Sequence, residues 1–279
     1  MQLSIAHLGP TGTYAEAAAI TYAEYLAATQ EIKSSLCPYP SITQTLWAVA
    51  REEVDLGIVP VENSIEGSVS MTLDALWQID ILRIQQALVL PISHALITLA
   101  NDQNNIKVVY SHPQALAQCQ EWLNQNLPNV QQIPTNSTTE ALLYLNKDKT
   151  AAAISSERAA LLYKLPIMAH PINDRPDNCT RFLVMGLKDS PGGSYTSLAF
   201  SVPENKPGVL VKPLQVFANR EINMSRIESR PTKRSLGEYL FFIDLEANTT
   251  DELVQSALVE LATHTKTIKI FGSYSIIGR

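Results

Sequence analysis

Cysteine is scarce in this chain of 279 residues, and basic residues are fewer than acidic ones. Cys37, Cys119 and Cys179 are odd in number and widely spaced, which is neither a zinc pattern nor a disulfide framework, so reduced thiols are expected. The 21 basic and 27 acidic residues give a net charge of −6, which argues against nucleic acid or an anionic membrane as the main partner. No apolar run is long enough to span a bilayer.

The sequence also lacks several signatures of catalytic chemistry. The five histidines are scattered without metal-ligand spacing, and neither a P-loop nor a Gly-x-Ser-x-Gly motif occurs. Covalent, redox and metal chemistry are therefore weakly supported, and we expect no metal. Residues 1–7 have neither the basic nor the apolar region of a signal peptide, so we expect a cytoplasmic protein.

Strand, polar turn and capped helix alternate through residues 1–163. Four turns have the spacing of a helix N-cap: Thr13–Glu16, Asn63–Glu66, Ser111–Gln114 and Ser137–Glu140. This alternation predicts an α/β fold with mostly parallel strands. It places several helix N-termini at strand ends, where they favour a small anionic ligand.

The composition changes at the Pro- and Gly-containing stretch 189–194, which we interpret as a linker. The pattern in residues 196–274 is strand, helix, strand, strand, helix, strand, with Thr249 and Glu252 expected to cap the second helix. This βαββαβ order is that of a ferredoxin-like domain.

Residues 177–182 place an amide, a hydroxyl and a guanidinium directly before an apolar strand. Ligands bind at strand ends in open α/β sheets, so this hexapeptide is a candidate site. The other hydroxyl and amide groups at turns are Thr11, Thr13, Asn63, Ser64 and Ser111. Helix capping alone would also explain several of them, and the sequence leaves both interpretations open.

Four motifs, in order, resemble the prephenate dehydratase family: Gly9-Pro10-Thr11-Gly12-Thr13-Tyr14, Pro60-Val61-Glu62-Asn63-Ser64-Ile65-Glu66-Gly67, Ser111-His112-Pro113-Gln114-Ala115-Leu116 and Asn178-Cys179-Thr180-Arg181-Phe182. The resemblance implies a two-lobed catalytic domain over 1–189, similar to type II periplasmic-binding folds. Its lobes would be about 1–78 with 166–186, and 79–165. The second half resembles the ACT regulatory domain of the same enzymes in two runs, Pro207-Gly208-Val209-Leu210 and Ile222-Asn223-Met224-Ser225-Arg226-Ile227-Glu228-Ser229-Arg230-Pro231, which implies a ferredoxin-like ACT domain over 196–279.

The family reaction converts prephenate to phenylpyruvate, water and carbon dioxide. Because the ring becomes aromatic, the driving force lies in the substrate, and the resemblance implies no cofactor. It assigns assistance to the departing hydroxyl to Thr180, with Asn63 and Ser64 as further catalytic residues. The implied substrate-binding residues are Thr11, Gly12, Thr13, Glu62, Ser111, Asn178, Arg181 and Phe182, with Arg181 expected to hold the pyruvyl carboxylate.

The ACT resemblance implies feedback regulation by phenylalanine, bound between paired domains of a homo-oligomer that is a dimer or a tetramer. The residues implied to bind phenylalanine are Gly208, Val209, Leu210, Asn223, Glu228, Ser229 and Arg230. Pro213 departs from the family pattern, and it would disturb a helix unless it lay in the first turn. The strength and sign of the regulation therefore stay open.

Two alternatives remain at this stage. One is arogenate dehydratase, whose substrate carries an amino group in place of the keto group of the side chain. The other is a non-catalytic protein that binds a small molecule, because the expected two-lobed fold resembles solute-binding proteins. The sequence does not separate prephenate from arogenate.

Overall fold

The structure is a computed structural model of the chain, and it describes residues 2–278. Its strands are β1 Gln2–Leu8, β2 Lys33–Tyr39, β3 Leu56–Asn63, β4 Gly67–Ser68, β5 Arg83–Pro91, β6 His94–Thr98, β7 Val108–Ser111, β8 Gln131–Pro134, β9 Ala151–Ser156, β10 Ile167–Ala169, β11 Cys179–Gly186, β12 Tyr195–Ser201, β13 Met224–Pro231, β14 Tyr239–Leu245, β15 Thr267–Tyr274 and β16 Ile276–Ile277. Its α-helices are α1 Tyr14–Gln30, α2 Ile42–Ala50, α3 Ser70–Gln78, α4 Pro113–Ala117, α5 Gln120–Asn126, α6 Glu157–Tyr163, α7 Val211–Ala218 and α8 Glu252–His264. None of these helices has the length and apolarity that a membrane crossing requires.

The described chain divides into two compact units. Unit 1 consists of residues 2–41, 62–67 and 90–180. Unit 2 consists of residues 42–61, 68–89 and 181–278.

Unit 1 contains a five-stranded sheet in the order β10-β6-β9-β7-β8. Strand β7 is parallel to β8 and β9, whereas β6 is antiparallel to β9 and β10. Ala152 and Ile154 of β9 pack in a core cluster with α4 and α5, and Ala151 and Ala153 pack on the other face with α6. Both faces of β9 are buried, which explains why its sequence is a continuous apolar run. Unit 1 also holds the parallel pair β1 and β2.

Unit 2 contains the predicted ferredoxin-like sheet, in the order β13-β14-β12-β15. Its pairings are antiparallel, and a core cluster that includes Val216 of α7 and Leu261 of α8 covers one face. Most residues of β16, β5, β11 and β3, which neighbour one another in that order, also belong to unit 2, whereas Asn63 at the end of β3 and Thr180 near the start of β11 belong to unit 1. Pro213 lies in the first turn of α7, where the missing N–H has no helical acceptor to lose and proline is tolerated.

The capping predictions have mixed outcomes. The Thr13 hydroxyl accepts from Glu16 N at 3.3 Å and caps α1, as predicted. The predicted cap at Ser111 is wrong, because the Ser111 hydroxyl donates to Ile154 O at 2.6 Å. His112 caps α4 instead, with its Nδ1 accepting from Gln114 N at 3.3 Å.

The helix expected after the Ser111–Gln114 turn is in fact two helices. Helix α4 ends at Ala117, and α5 starts at Gln120. The Asp174 carboxylate accepts from Glu121 N and Trp122 N at 2.9 and 3.0 Å, so it caps the start of α5 from a distant part of the sequence. A capping residue that lies 53 positions away along the chain leaves no local sequence signal.

Three further caps differ from the prediction. Asn63 does not cap α3, whose N-cap is Val69. Thr249 does not cap α8, since the N-cap is Asp251 and the Thr249 hydroxyl contacts the Ser273 hydroxyl at 2.8 Å. The Ser137 hydroxyl does accept from Glu140 N at 2.9 Å, but the residues that follow form a 3-10 helix, Glu140–Tyr144.

Candidate active site

Asn63, at the end of β3, is held in one orientation within unit 1. Its side-chain Oδ1 accepts from the backbone N–H groups of Ile65 and Glu66, both at 3.1 Å. Because backbone N–H groups can only donate, the other end of the amide must be the NH₂ group. The side-chain Nδ2 of Asn63 is therefore a fixed donor.

Thr180, near the start of β11, receives a hydrogen bond from that donor. Asn63 Nδ2 lies 2.9 Å from Thr180 Oγ1, and Thr180 is only 8% exposed. Since the hydroxyl oxygen accepts here, its own hydrogen is left to donate elsewhere. The contact thus presents a hydroxyl donor at the position expected for the catalytic group.

Gln118 joins this cluster, although the sequence did not single it out. Its Oε1 accepts from Asn178 Nδ2 at 2.9 Å and from His94 Nε2 at 3.0 Å. Its Nε2 lies 3.4 Å from Asn63 Oδ1, and the residue is 5% exposed. Asn178 Oδ1 in turn accepts from Asn63 Nδ2 at 2.8 Å, which closes the network. The sequence gives little indication of this role, because Gln118 has the position of an ordinary polar residue in a helix.

His94 is the buried end of this network, and its tautomer follows from the partners. Gln118 Oε1 can only accept, so His94 Nε2 carries the hydrogen. Burial lowers the pKa of His94, and the hydrogen bond to Gln118 offsets only part of that effect. The histidine is thus neutral, with the unprotonated Nδ1 buried and without a partner among the described residues.

Ser64 fastens the turn after Asn63 to the strand that carries Thr180. Ser64 N donates to Cys179 O at 2.9 Å, and the Ser64 hydroxyl accepts from Cys179 N at 3.0 Å. Both backbone groups of Cys179 are thereby used, whereas no contact within residues 2–278 gives its thiol a role. The arrangement supports a positioning role for Ser64, since its oxygen already serves the backbone.

The predicted residues of the N-terminal turn also lie in unit 1. Thr13 uses its hydroxyl twice, capping α1 and donating to Leu8 O at 3.1 Å. Gly12 N donates to the Glu16 carboxylate at 2.6 Å, and Arg158 Nη1 lies 2.8 Å from the same oxygen. Gly12 has φ +95°, and a Cβ there would come 3.1 Å from Thr139 Cγ2. Thr11 is exposed.

Three other residues predicted to bind the substrate differ in how far they are buried. Ser111 is fully buried, with its hydroxyl committed to β9. Glu62 is half-buried in β3. Phe182 is 2% exposed and belongs to the core rather than to an accessible surface.

Arg181 follows Thr180 directly, and alternation along a strand turns its side chain to the opposite face. Arg181 Nη2 lies 2.6 Å from Asp244 Oδ2 in unit 2. Asp244 is 0% exposed and also receives Arg226 Nε at 2.8 Å and the Ser197 hydroxyl at 2.5 Å. Burial alone would raise the pKa of Asp244, but the charges of Arg226 and Arg181 outweigh it and lower that pKa. This ion pair favours a structural role for Arg181, and its binding of substrate stays a prediction.

Two of the residues predicted to bind phenylalanine make ionic or polar contacts elsewhere in unit 2. Glu228 Oε2 accepts from the Ser68 hydroxyl at 3.2 Å. Arg230 Nη2 lies 3.1 Å from Asp74 Oδ2 of α3. Ser229, between them on β13, is exposed. Because side chains alternate between the two faces along a strand, Glu228 and Arg230 lie on one face of the sheet and Ser229 lies on the other.

The other predicted effector residues lie around the start of α7 and the start of β13. Gly208 is exposed with φ +76°, a backbone conformation that favours glycine, and Val209 and Leu210 follow it half-buried. Asn223 Nδ2 donates to Glu246 Oε2 at 2.8 Å.

The residues around Thr180 are neutral amides, hydroxyls and a neutral imidazole. Within residues 2–278, no group of three His, Cys, Asp or Glu side chains could hold a metal ion. Such a set can orient a polar substrate and donate hydrogen bonds to a departing oxygen.

Comparison with known proteins assigns the family. The family model named prephenate dehydratase matches residues 5–190, and the ACT domain model matches residues 196–263. The prephenate dehydratase of Methanocaldococcus jannaschii is 38% identical, over 99% of this chain and 99% of that protein.

Two solved structures have the same fold over nearly the whole chain. Prephenate dehydratase from Arthrobacter aurescens, in complex with L-Phe, is 34% identical with a TM-score of 0.86, covering 98% of this chain and 90% of that one. GqqA, described as a novel type of quorum quenching acylase, is 25% identical with a TM-score of 0.81, covering 99% of this chain and 98% of that one. The full-length match to named dehydratases and the matching family model together decide the assignment. The chain therefore belongs to the prephenate dehydratase family, the lyases that dehydrate and decarboxylate prephenate.

Proposed function

We propose that Thr180 assists the departure of the prephenate hydroxyl, and that Asn63 fixes the direction in which it does so. The observation that supports this role is the hydrogen bond from Asn63 Nδ2 to Thr180 Oγ1. With its oxygen accepting from Asn63, Thr180 can donate its hydrogen to the leaving oxygen. A threonine hydroxyl is a poor free acid, so it acts only through such fixed geometry.

The reaction needs no electron acceptor. The bond between the ring and its carboxylate breaks, and the electron pair enters the ring while the C–O bond at the opposite carbon breaks. Carbon dioxide leaves and the ring becomes aromatic. The departing hydroxide takes a proton through the Thr180 hydroxyl, which regains one from solvent, and leaves as water. A group that held the departing carboxylate equally well in the ground and transition states would not raise kcat. The neutral set around Thr180 suits this requirement.

Phenylalanine is the effector that we propose for this chain, bound by its ACT domain. The support is the ACT family model and the L-Phe complex of the Arthrobacter aurescens relative. Gly208, Val209, Leu210, Asn223 and Ser229 remain the proposed contacts that are not already bonded to Ser68 or Asp74. Glu228 and Arg230 would have to exchange their partners Ser68 and Asp74 to bind it.

Other parts of the proposal rest on the sequence alone. These are a catalytic domain over 1–189, an ACT domain over 196–279, a homo-oligomer formed through the ACT domains, and a cytoplasmic location. The family models support the two-domain division, because their matches end at 190 and begin at 196.

One experiment separates the candidate substrates. The purified chain is incubated with prephenate or with arogenate, and phenylpyruvate and phenylalanine are quantified. We expect phenylpyruvate from prephenate at the higher kcat/KM, and preferential formation of phenylalanine from arogenate would reverse the substrate assignment. Repeating the prephenate assay with millimolar phenylalanine tests the effector, and an unchanged rate would remove the regulatory role.

A further inference from the structure

A serine, a histidine and a glutamate come together in unit 1, and the dehydration chemistry uses none of them. Ser93 Oγ lies 2.8 Å from His170 Nε2. His170 Nδ1 lies 4.0 Å from the carboxylate oxygen Oε2 of Glu157. The three residues come from the turn between β5 and β6, from the segment after β10, and from the first position of α6. They are brought together by the fold and not by sequence proximity.

The backbone around Ser93 is held in place. Ser93 O accepts from the Tyr14 hydroxyl at 2.5 Å, Ile92 N donates to Asn178 O at 2.8 Å, and His94 N donates to Asn173 Oδ1 at 2.5 Å. The Ser93 side chain is half-buried and His170 is exposed, so a substrate can approach the pair from solvent. A fixed nucleophile beside an accessible base is the geometry that covalent catalysis requires.

The order of the three groups sets the direction of proton transfer. A carboxylate near Nδ1 favours the imidazole tautomer with its hydrogen on Nδ1. Nε2 is then unprotonated and can accept the hydroxyl hydrogen of Ser93. In this arrangement Ser93 is the nucleophile, His170 is the base, and Glu157 stabilises the imidazolium that forms.

We propose that Ser93, His170 and Glu157 form a second catalytic site, which hydrolyses activated esters of short apolar acyl groups. Leu161 stands one helical turn after Glu157 on α6 and is 71% exposed, which offers an apolar contact beside the carboxylate. The ester needs a good leaving group, because the backbone N–H groups of Ile92 and His94 beside Ser93 already donate to Asn178 and Asn173. They are therefore not available to stabilise the negative charge on the acyl oxygen. The site is independent of prephenate turnover.

The reaction balances with water as the second reactant. Ser93 Oγ bonds to the acyl carbon as His170 Nε2 takes its hydrogen, and the ester C–O bond breaks with that hydrogen passing to the alcohol. The oxygen of water then bonds to the acyl carbon as water gives one hydrogen to His170 Nε2. The bond between Ser93 Oγ and the acyl carbon breaks, the acid leaves, and His170 returns the hydrogen to Ser93 Oγ. One ester and one water yield one acid and one alcohol, with no change of oxidation state.

The test uses the full chain and p-nitrophenyl butyrate. We expect Ser93→Ala and His170→Gln each to lower kcat/KM for p-nitrophenol release by about 10²-fold or more, with prephenate turnover retained. His264→Gln, in the last turn of α8, is the control for background catalysis by a partly exposed imidazole and should leave the ester rate unchanged. A wild-type ester rate in Ser93→Ala, or an equal loss in His264→Gln, would overturn the proposal.

A second measurement does not depend on rates. A fluorophosphonate probe should lose fluoride and attach its phosphorus to Ser93 Oγ, and peptide mass spectrometry locates the label. The Ser93→Ala variant, checked for native secondary structure by circular dichroism, should remain unlabelled. Absence of label on Ser93 in the wild-type chain, with another serine labelled instead, would contradict the assignment.

Discussion

Asn63 Nδ2 donates to Thr180 Oγ1 over 2.9 Å, across 117 residues of sequence. The direction of this bond leaves the threonine hydrogen free for the substrate, so reversing it should stop catalysis. In Asn63→Asp the side chain can only accept, and the carboxylate would take the Thr180 hydrogen for itself. We expect kcat to fall by about 10²–10⁴-fold while KM changes little, measured by phenylpyruvate formation.

The double variant Asn63→Asp with Thr180→Ala sharpens this prediction. If Asn63 acts by directing the Thr180 hydroxyl, the double variant should be no slower than the slower single variant, because the two residues act as a unit. Multiplicative losses would show that Asn63 contributes to catalysis by a separate route.

Thr180 itself gives the second prediction. Thr180→Ala removes the hydroxyl and should lower kcat by about 10²–10⁴-fold, with the thermal midpoint nearly retained. Thr180→Ser keeps the hydroxyl and should recover most of the lost rate, since Asn63 can still donate to its oxygen. A Thr180→Ala variant with near wild-type kcat would remove Thr180 from the mechanism.

Gln118 gives the third prediction, and the chain supplies its own control. Gln118→Met preserves the size of the side chain but leaves the hydrogens of His94 Nε2 and Asn178 Nδ2 without their acceptor. We expect the free energy of unfolding to fall by about 1–3 kcal/mol, measured with urea, and kcat to fall with it. The matched change Gln120→Met removes only a bond to Asn124 and should cost less than about 0.5 kcal/mol.

The sequence predicted most elements, because their signals are local. The periodicity of β9 and α6 and the cap at Thr13 depend on neighbouring residues, and the βαββαβ order of the second half follows from the same kind of pattern. The break between α4 and α5 was missed, since the carboxylate that caps α5 belongs to Asp174. Long-range caps of this kind have no signature within a window of sequence.

The candidate site was predicted only in part, for a comparable reason. Asn63, Asn178 and Thr180 could be singled out because they stand in recognisable motifs. Gln118 and His94 could not, since their importance comes from contacts with those residues and not from their own neighbours. The contact between Ser93 and His170 could not be predicted either, because the two residues lie 77 positions apart and no nucleophile motif marks them.

The buried carboxylate of Asp244 gives the fourth prediction. Asp244→Ala would leave the guanidinium group of Arg226, whose side chain is 9% exposed, without the carboxylate that it contacts at 2.8 Å, so we expect a loss of about 3–5 kcal/mol in the free energy of unfolding. The exposed pair Arg51–Glu53, 3.9 Å apart, is the control, and Glu53→Ala should cost about 1 kcal/mol or less. Equal losses in the two variants would mean that burial of the charges does not govern the effect.

The pH dependence of stability is the fifth prediction. Burial lowers the pKa values of His7, His94 and His112 in the folded chain, whereas the unfolded chain has the ordinary value of 6.5. As pH falls below 6.5 the unfolded state binds protons first, so the folded state loses stability until its own histidines are protonated. Above 6.5 these groups are neutral in both states, and their contribution does not change with pH.

Urea unfolding of the wild-type chain and of His94→Gln, at a series of pH values on both sides of 6.5, measures this effect. The wild-type free energy of unfolding should decrease as pH falls, by up to about 1.4 kcal/mol for each unit of pKa difference per histidine. His94→Gln should show a shallower decrease, because His7 and His112 still contribute and position 94 no longer does. The same slope in both proteins would show that His94 is not buried in its neutral form, and the assigned tautomer, with its hydrogen bond from Nε2 to Gln118, would have to be abandoned.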